Sequence, residues 1–99
     1  MKRRVLTTLA IIGLVTAPLP ALAGEASPSM LADACAACHG TDGKSPGAIP
    51  SIQGKKAGYI EQQLKAFKTD QQQGTVMNRI AKGYTDQEIA AIAKHLGSK

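Results

Sequence analysis

Two thiols and an imidazole fall within five positions in the run Cys35-Ala36-Ala37-Cys38-His39. Three chemistries use such a set. A dithiol redox site places Cys-x-x-Cys at a helix N-terminus, where the dipole lowers the first thiol's pKa, and follows a strand. A structural zinc site needs four donors, commonly a second Cys-x-x-Cys or a His-x-x-x-His pair. Beyond the run this chain offers only His95 and scattered carboxylates. Covalent haem c needs two thiols to add across the porphyrin vinyl groups and a His directly after the second Cys to reach the iron; Cys-x-x-Cys-His meets both demands.

The elements that must position these groups read as helices and loops. Ser27-Pro28 is an N-cap followed by Pro at the first helical position, and Leu31, Ala34, Cys35 and Cys38 then recur at three- and four-residue spacings. Both cysteines are expected on the apolar face of this helix, near its C-terminal end, which is the wrong end for a dithiol site. A loop over residues 40–58 follows, with five glycines and two prolines in 19 positions. A loop of that length in a compact domain wraps something or serves a site.

The second helix is expected from Tyr59 to about Lys68, with Ile60, Leu64 and Phe67 as its apolar stripe. After the polar turn Gln71-Gln72-Gln73-Gly74 comes a mixed segment, 75–84. Thr85 and Glu88 form a capping box for the last helix, which carries Ile89, Ile92, Ala93 and Leu96 on one face and takes Gly97 as its stop. No segment alternates as a strand. The fold class is all-α, with three main helices and Gly-rich loops around one cofactor.

Residues 1–23 stand apart. Lys2, Arg3 and Arg4 precede a 13-residue apolar run from Val5 to Ala17, then Pro18, Pro20 and Ala21-Leu22-Ala23, the pattern of a cleaved secretory signal. The run is shorter than the ~20 residues a spanning helix needs. The mature chain is therefore expected at Gly24–Lys99, one domain of 76 residues without a membrane span, exported to the periplasm. Three of the twelve basic residues and none of the seven acids lie in the leader, so the net charge falls from +5 to +2. With one Phe and two Tyr there is little surface for stacking bases, and nucleic acid is excluded as a partner. A chain this small needs a staple besides its core. A Cys35–Cys38 disulfide would close too short a ring to serve, whereas a covalently held macrocycle would serve well.

Iron held by His39 needs a second axial group or an open site, and three side chains compete for the place: Met30, Met77 and His95. Met30 sits nine residues before His39 on the same helix and cannot readily pass to the opposite face. His95 lies near a helix C-terminus, where a partly exposed His is favoured by the dipole. Met77 follows His39 by 38 residues, beyond the loop and the second helix, with enough chain to reach the other side. Thioether opposite imidazole favours ferrous iron and suits one-electron transfer.

Across residues 24–99 the chain resembles class I cytochromes c, in the helix into Cys-Ala-Ala-Cys-His-Gly, the loop with Ile-Pro-Ser-Ile-Gln-Gly, the amphipathic helix, the Met segment and the terminal helix. More narrowly it is similar to the haem subunits of flavocytochrome c sulfide dehydrogenases. The resemblance implies thioether links at Cys35 and Cys38, His39 proximal and Met77 distal. It also implies that the Pro50 carbonyl accepts a hydrogen bond from the proximal imidazole. Leu31 and His95 stand where many relatives cross two aromatics, and there is no Trp to meet a haem propionate, leaving Tyr59, Tyr84 or Arg79 for that contact.

The resulting expectation is a secreted monohaem c-type cytochrome that carries electrons and is not itself an enzyme. Its partners are redox proteins, with a flavoprotein subunit implied by the narrower resemblance; this chain has no Gly-x-Gly-x-x-Gly flavin motif, so any dehydrogenase activity would belong to the complex. The lysines at 44, 55, 56, 65, 68, 82 and 94 are available to steer an acidic partner. The competing readings are a free-standing carrier delivering electrons to an oxidase, and a haem sensor or peroxidase with a labile sixth ligand.

Overall fold

The computed structural model describes residues 9–18 and 25–99. Four helices follow one another: α1 (Pro28–His39), α2 (Ala57–Lys68), α3 (Met77–Ala81) and α4 (Asp86–Leu96), with a 3₁₀ turn at Thr41–Gly43. There is no strand among the described residues. The basic start at Lys2, Arg3 and Arg4 and the Ala21-Leu22-Ala23 site lie outside them.

Two of the main helices, α1 and α4, begin where local chemistry dictates. Ser27 accepts a hydrogen bond from the Met30 backbone N–H at 3.3 Å, with Pro28 next in the first turn of α1. The Thr85 side chain accepts from the Glu88 N–H at 3.1 Å, and the Thr85 N–H donates back to Glu88 Oε1 at 2.9 Å, completing the capping box of α4. Thr85→Ala removes half of this box and should cost ~1 kcal/mol. A thermal melt should register this as a drop of about 4–8 °C for a domain of this size.

α4 lies against both α1 and α2, and α3 packs on α2. The core between them is Ala32 from α1, Ile60 from α2 and Ile92, Ala93 and Leu96 from α4, with Leu31, Cys35, Ile52, Leu64 and Tyr84 packed around it. The expected face of α4 is thus the buried one. The core is small: Ile89 and Ile92 are its only large side chains buried to within 2% among the described residues. Leu31 extends this cluster from α1.

Two expectations change. The segment 75–84 contains a helix of its own, α3, and α2 starts at Ala57, so the open loop is shorter than the Gly and Pro content suggests. Gly97 ends α4 as expected, with φ −68°. Its need for glycine is steric. A Cβ there would lie 2.6 Å from the Ala57 nitrogen and 2.7 Å from its Cα and Cβ. Gly97→Ala forces the end of α4 away from the start of α2, at ~1–3 kcal/mol by the usual cost of overpacking. A lowered urea midpoint with an unchanged slope would register it.

Candidate functional site

α1 carries Cys35, Cys38 and His39 in its last two turns. Leu31, Cys35 and Cys38 recur at i, i+4 and i+7 and so form one stripe. Cys35 is half-buried against the core, but Cys38 is exposed. Both thiols thus lie on the stripe expected of them, which runs on past the end of the packed core at Cys38. Both thiols are free. Burial pushes the Cys35 thiol up, partly offset by a backbone hydrogen bond. A dithiol redox site requires the opposite shift. Among the described residues no three His, Cys, Asp or Glu side chains gather to hold a metal ion, so the donor set for zinc is not assembled.

The chain leaves α1 through Gly40, whose φ of +85° favours glycine and whose Cβ, if present, would collide with the Lys44 carbonyl oxygen. The loop then folds back on itself. The N–H groups of Ile52 and Gln53 both donate to the Gly43 carbonyl, at 2.8 and 3.1 Å, and the Ser45 N–H donates to Ser51 Oγ at 2.8 Å. This return carries the Pro50 carbonyl oxygen to 2.6 Å from His39 Nδ1. A carbonyl only accepts, so Nδ1 holds the proton and donates. In the neutral ring this tautomer leaves the lone pair on Nε2, the nitrogen through which such an imidazole would ligate a metal.

Met77 is the first residue of α3 and is half-buried. Its sequence neighbours Val76 and Ile80 are 56% and 43% exposed, and Ile49, beside Pro50, is 43% exposed. Met30 is 65% exposed on the helix that bears His39. His95 is half-buried in the last turn of α4. The three groups considered for propionate contact are not equivalent. Tyr84 packs against the core, Tyr59 is half-exposed with Lys55 Nζ 5.7 Å from its ring centre, and Arg79 is exposed on α3.

The residue that sequence reasoning passed over is Asn78. Its Oδ1 accepts from the Gly74 N–H at 2.7 Å, while Nδ2 reaches the carbonyls of Gln72 at 2.6 Å and Phe67 at 3.2 Å. An Asn one place after a candidate ligand, in a residue type that favours caps and turns over helix interiors, was the available signal.

These donors fit covalent haem. Two free thiols lie one turn apart on α1, and one imidazole has a single open nitrogen. A thioether heads a separate helix, and apolar Ile49, Val76 and Ile80 remain uncovered around a small core.

Residues 23–99 match the cytochrome c family. The chain is 50% identical over 74 residues to the cytochrome subunit of sulfide dehydrogenase from Chlorobaculum tepidum, which covers 75% of this chain and 67% of that protein. It is 39% identical to cytochrome c-554(548) from Halomonas halodenitrificans, covering 66% of this chain and 83% of the relative. To the thiosulfate dehydrogenase electron acceptor of Stutzerimonas stutzeri it is 36% identical, covering 74% of this chain and 34% of that longer protein.

Proposed function

The chain belongs to the cytochrome c family, whose cofactor is covalent haem c, and from that membership we propose that it is the electron-accepting subunit of a sulfide-oxidising flavoprotein complex. The observation that carries the redox part is the 2.6 Å bond from His39 Nδ1 to the Pro50 carbonyl, which leaves Nε2 free to ligate. The half-identity to a sulfide dehydrogenase cytochrome subunit supports the choice of partner.

In this reading Cys35 and Cys38 would anchor the cofactor by thioether bonds, and His39 and Met77 would hold its iron. Haem c supplies a reversible one-electron change between ferric and ferrous iron. The Pro50 carbonyl fixes the imidazole's orientation and raises its basicity. The Met77 thioether favours the ferrous state and so raises the potential. No residue of this chain makes or breaks a substrate bond; oxidation of sulfide belongs to the flavoprotein.

The charge pattern supports a docking face. Lys65, Lys68 and Lys82 pair with Glu61, Asp86 and Asp70 at 3.0, 3.0 and 2.6 Å, and Lys99 lies 3.7 Å from Asp42. Lys44, Lys55 and Lys56 form no ion pair among the described residues, and no acid occurs between Asp42 and Glu61. We assign steering of an acidic partner to these three.

Residues 1–23 act as a cleaved leader that delivers the protein to the periplasm. In support, Leu9, Ile11, Ile12, Leu14 and Val15 are each at least 83% exposed and take no part in the core, and the family match begins at residue 23. No helix of the described residues is long and apolar enough to cross a membrane.

The test is affinity purification from the periplasm of the native host. The expected chain starts at Gly24, carries one haem mass and brings a flavoprotein with it, and sulfide bleaches the flavin and reduces the haem in that complex. A haem protein recovered alone, reduced by no flavoprotein fraction, would overturn the subunit assignment and favour the free-standing carrier.

A further inference from the structure

We propose that Asn78 is the positioning residue that keeps Met77 at its ligating place, an assignment that rests on Met77 being the distal ligand. α3 spans only Met77–Ala81 and buries only Ala81. A helix this short has no stability of its own, so the location of its first residue must be imposed by tertiary bonds.

The Asn78 side chain supplies them. Its amide oxygen ties the Gly74 N–H at 2.7 Å, closing a small ring of backbone that contains Met77. Its amide nitrogen serves Gln72 O at 2.6 Å, Phe67 O at 3.2 Å and Asp70 Oδ1 at 3.2 Å. Phe67 O lies in the last turn of α2 and also accepts from the Asp70 N–H at 3.2 Å. One half-buried side chain therefore joins the end of α2, the turn before α3 and the backbone on both sides of Met77.

The turn has little room to take another form. A Cβ on Gly74 would lie 2.9 Å from the Phe67 ring and 3.4 Å from Met77 Cβ. Asp70 sits at φ +59° and is held by Lys82 Nζ, which also donates to the Asn78 carbonyl at 3.3 Å. Removing the amide leaves the part-buried Gly74 N–H without its acceptor and Gln72 O without its donor, both in the turn that leads into Met77, a loss that favours opening of the segment.

An external ligand must displace Met77, so its affinity reports how readily that segment opens. The experiment titrates imidazole into the ferric holoprotein and follows the Met-to-iron charge-transfer band. Asn78→Ala should bind imidazole roughly tenfold more tightly, equivalent to ~1.4 kcal/mol. Asn78→Asp keeps an acceptor for Gly74 but loses the donors, and should fall between it and the native protein. Native imidazole affinity in Asn78→Ala, even with a lowered melting temperature, would overturn the proposal and leave Asn78 a stability residue. If Asn78→Ala does not fold, unchanged affinity in Asn78→Asp overturns it equally. A native ferric protein without the charge-transfer band would instead show that Met77 is not the ligand, a separate failure that removes the premise.

Discussion

Met77→Ala is expected to abolish the Met-to-iron charge-transfer band of the ferric protein, to lower its potential and to open the iron to cyanide and carbon monoxide. The direction follows from ligand chemistry: a soft thioether stabilises ferrous iron, and its removal shifts the balance toward ferric within the ~0.8 V range that axial ligation spans. The geometry says why no neighbour replaces it. Val76 and Ile80 have no donor atom, Asn78 is engaged by Gly74, Gln72 and Phe67, and Lys82 is paired with Asp70. Met30→Ala is the control, expected to leave the band unchanged, because Met30 is 65% exposed on the helix that carries His39. The optical spectrum and a potentiometric titration check both variants. Survival of the band in Met77→Ala would return the assignment to Met30.

The second large effect concerns folding. Cys35→Ala with Cys38→Ala yields a chain of unmodified mass after denaturation, and one that no longer melts cooperatively. The described core is seven buried apolar residues, three of them alanines, with only Ile89 and Ile92 as large side chains wholly inside. A core in a domain of this size supplies at most about 3–5 kcal/mol, and the connections between the four helices must be ordered against it. Covalent attachment keeps a large apolar body at high local concentration beside Ile49, Val76 and Ile80, the apolar side chains left uncovered near Pro50 and Met77. Mass spectrometry under denaturing conditions and a far-ultraviolet melt test the two halves of this expectation. A cooperative melt at the native temperature in the double variant would mean that the protein core alone suffices.

Salt should act on partner encounter rather than on the site. Lys44, Lys55 and Lys56 lie on the loop, apart from the ion-paired lysines of α2 and from Lys82. Reversing their charge should slow reduction by the partner and flatten its salt dependence, whereas the spectrum of the isolated protein should not change.

Much of this architecture was legible from local chemistry. Ser27-Pro28 and Thr85 with Glu88 start α1 and α4 because capping depends on residues three positions apart. Ile89, Ile92, Ala93 and Leu96 are buried because a helix repeats its face every three or four residues. Where reading by period failed, a non-periodic contact governs. The stripe of Leu31, Cys35 and Cys38 follows the period, but how much of it the core covers depends on where the helices packed on α1 end. α3 escaped notice because five residues are too few to show a period.

The sequence by itself determined the attachment run Cys35-Ala36-Ala37-Cys38-His39 and the helix that presents it, since one turn of α-helix sets the spacing of those three side chains. Tertiary structure alone decided which carbonyl meets His39 Nδ1, that Asn78 pins the segment around Met77, and that Gly97 is required by Ala57 rather than by its own φ. These contacts join residues separated by loops, and their partners are chosen by how the chain returns on itself, which no local spacing encodes.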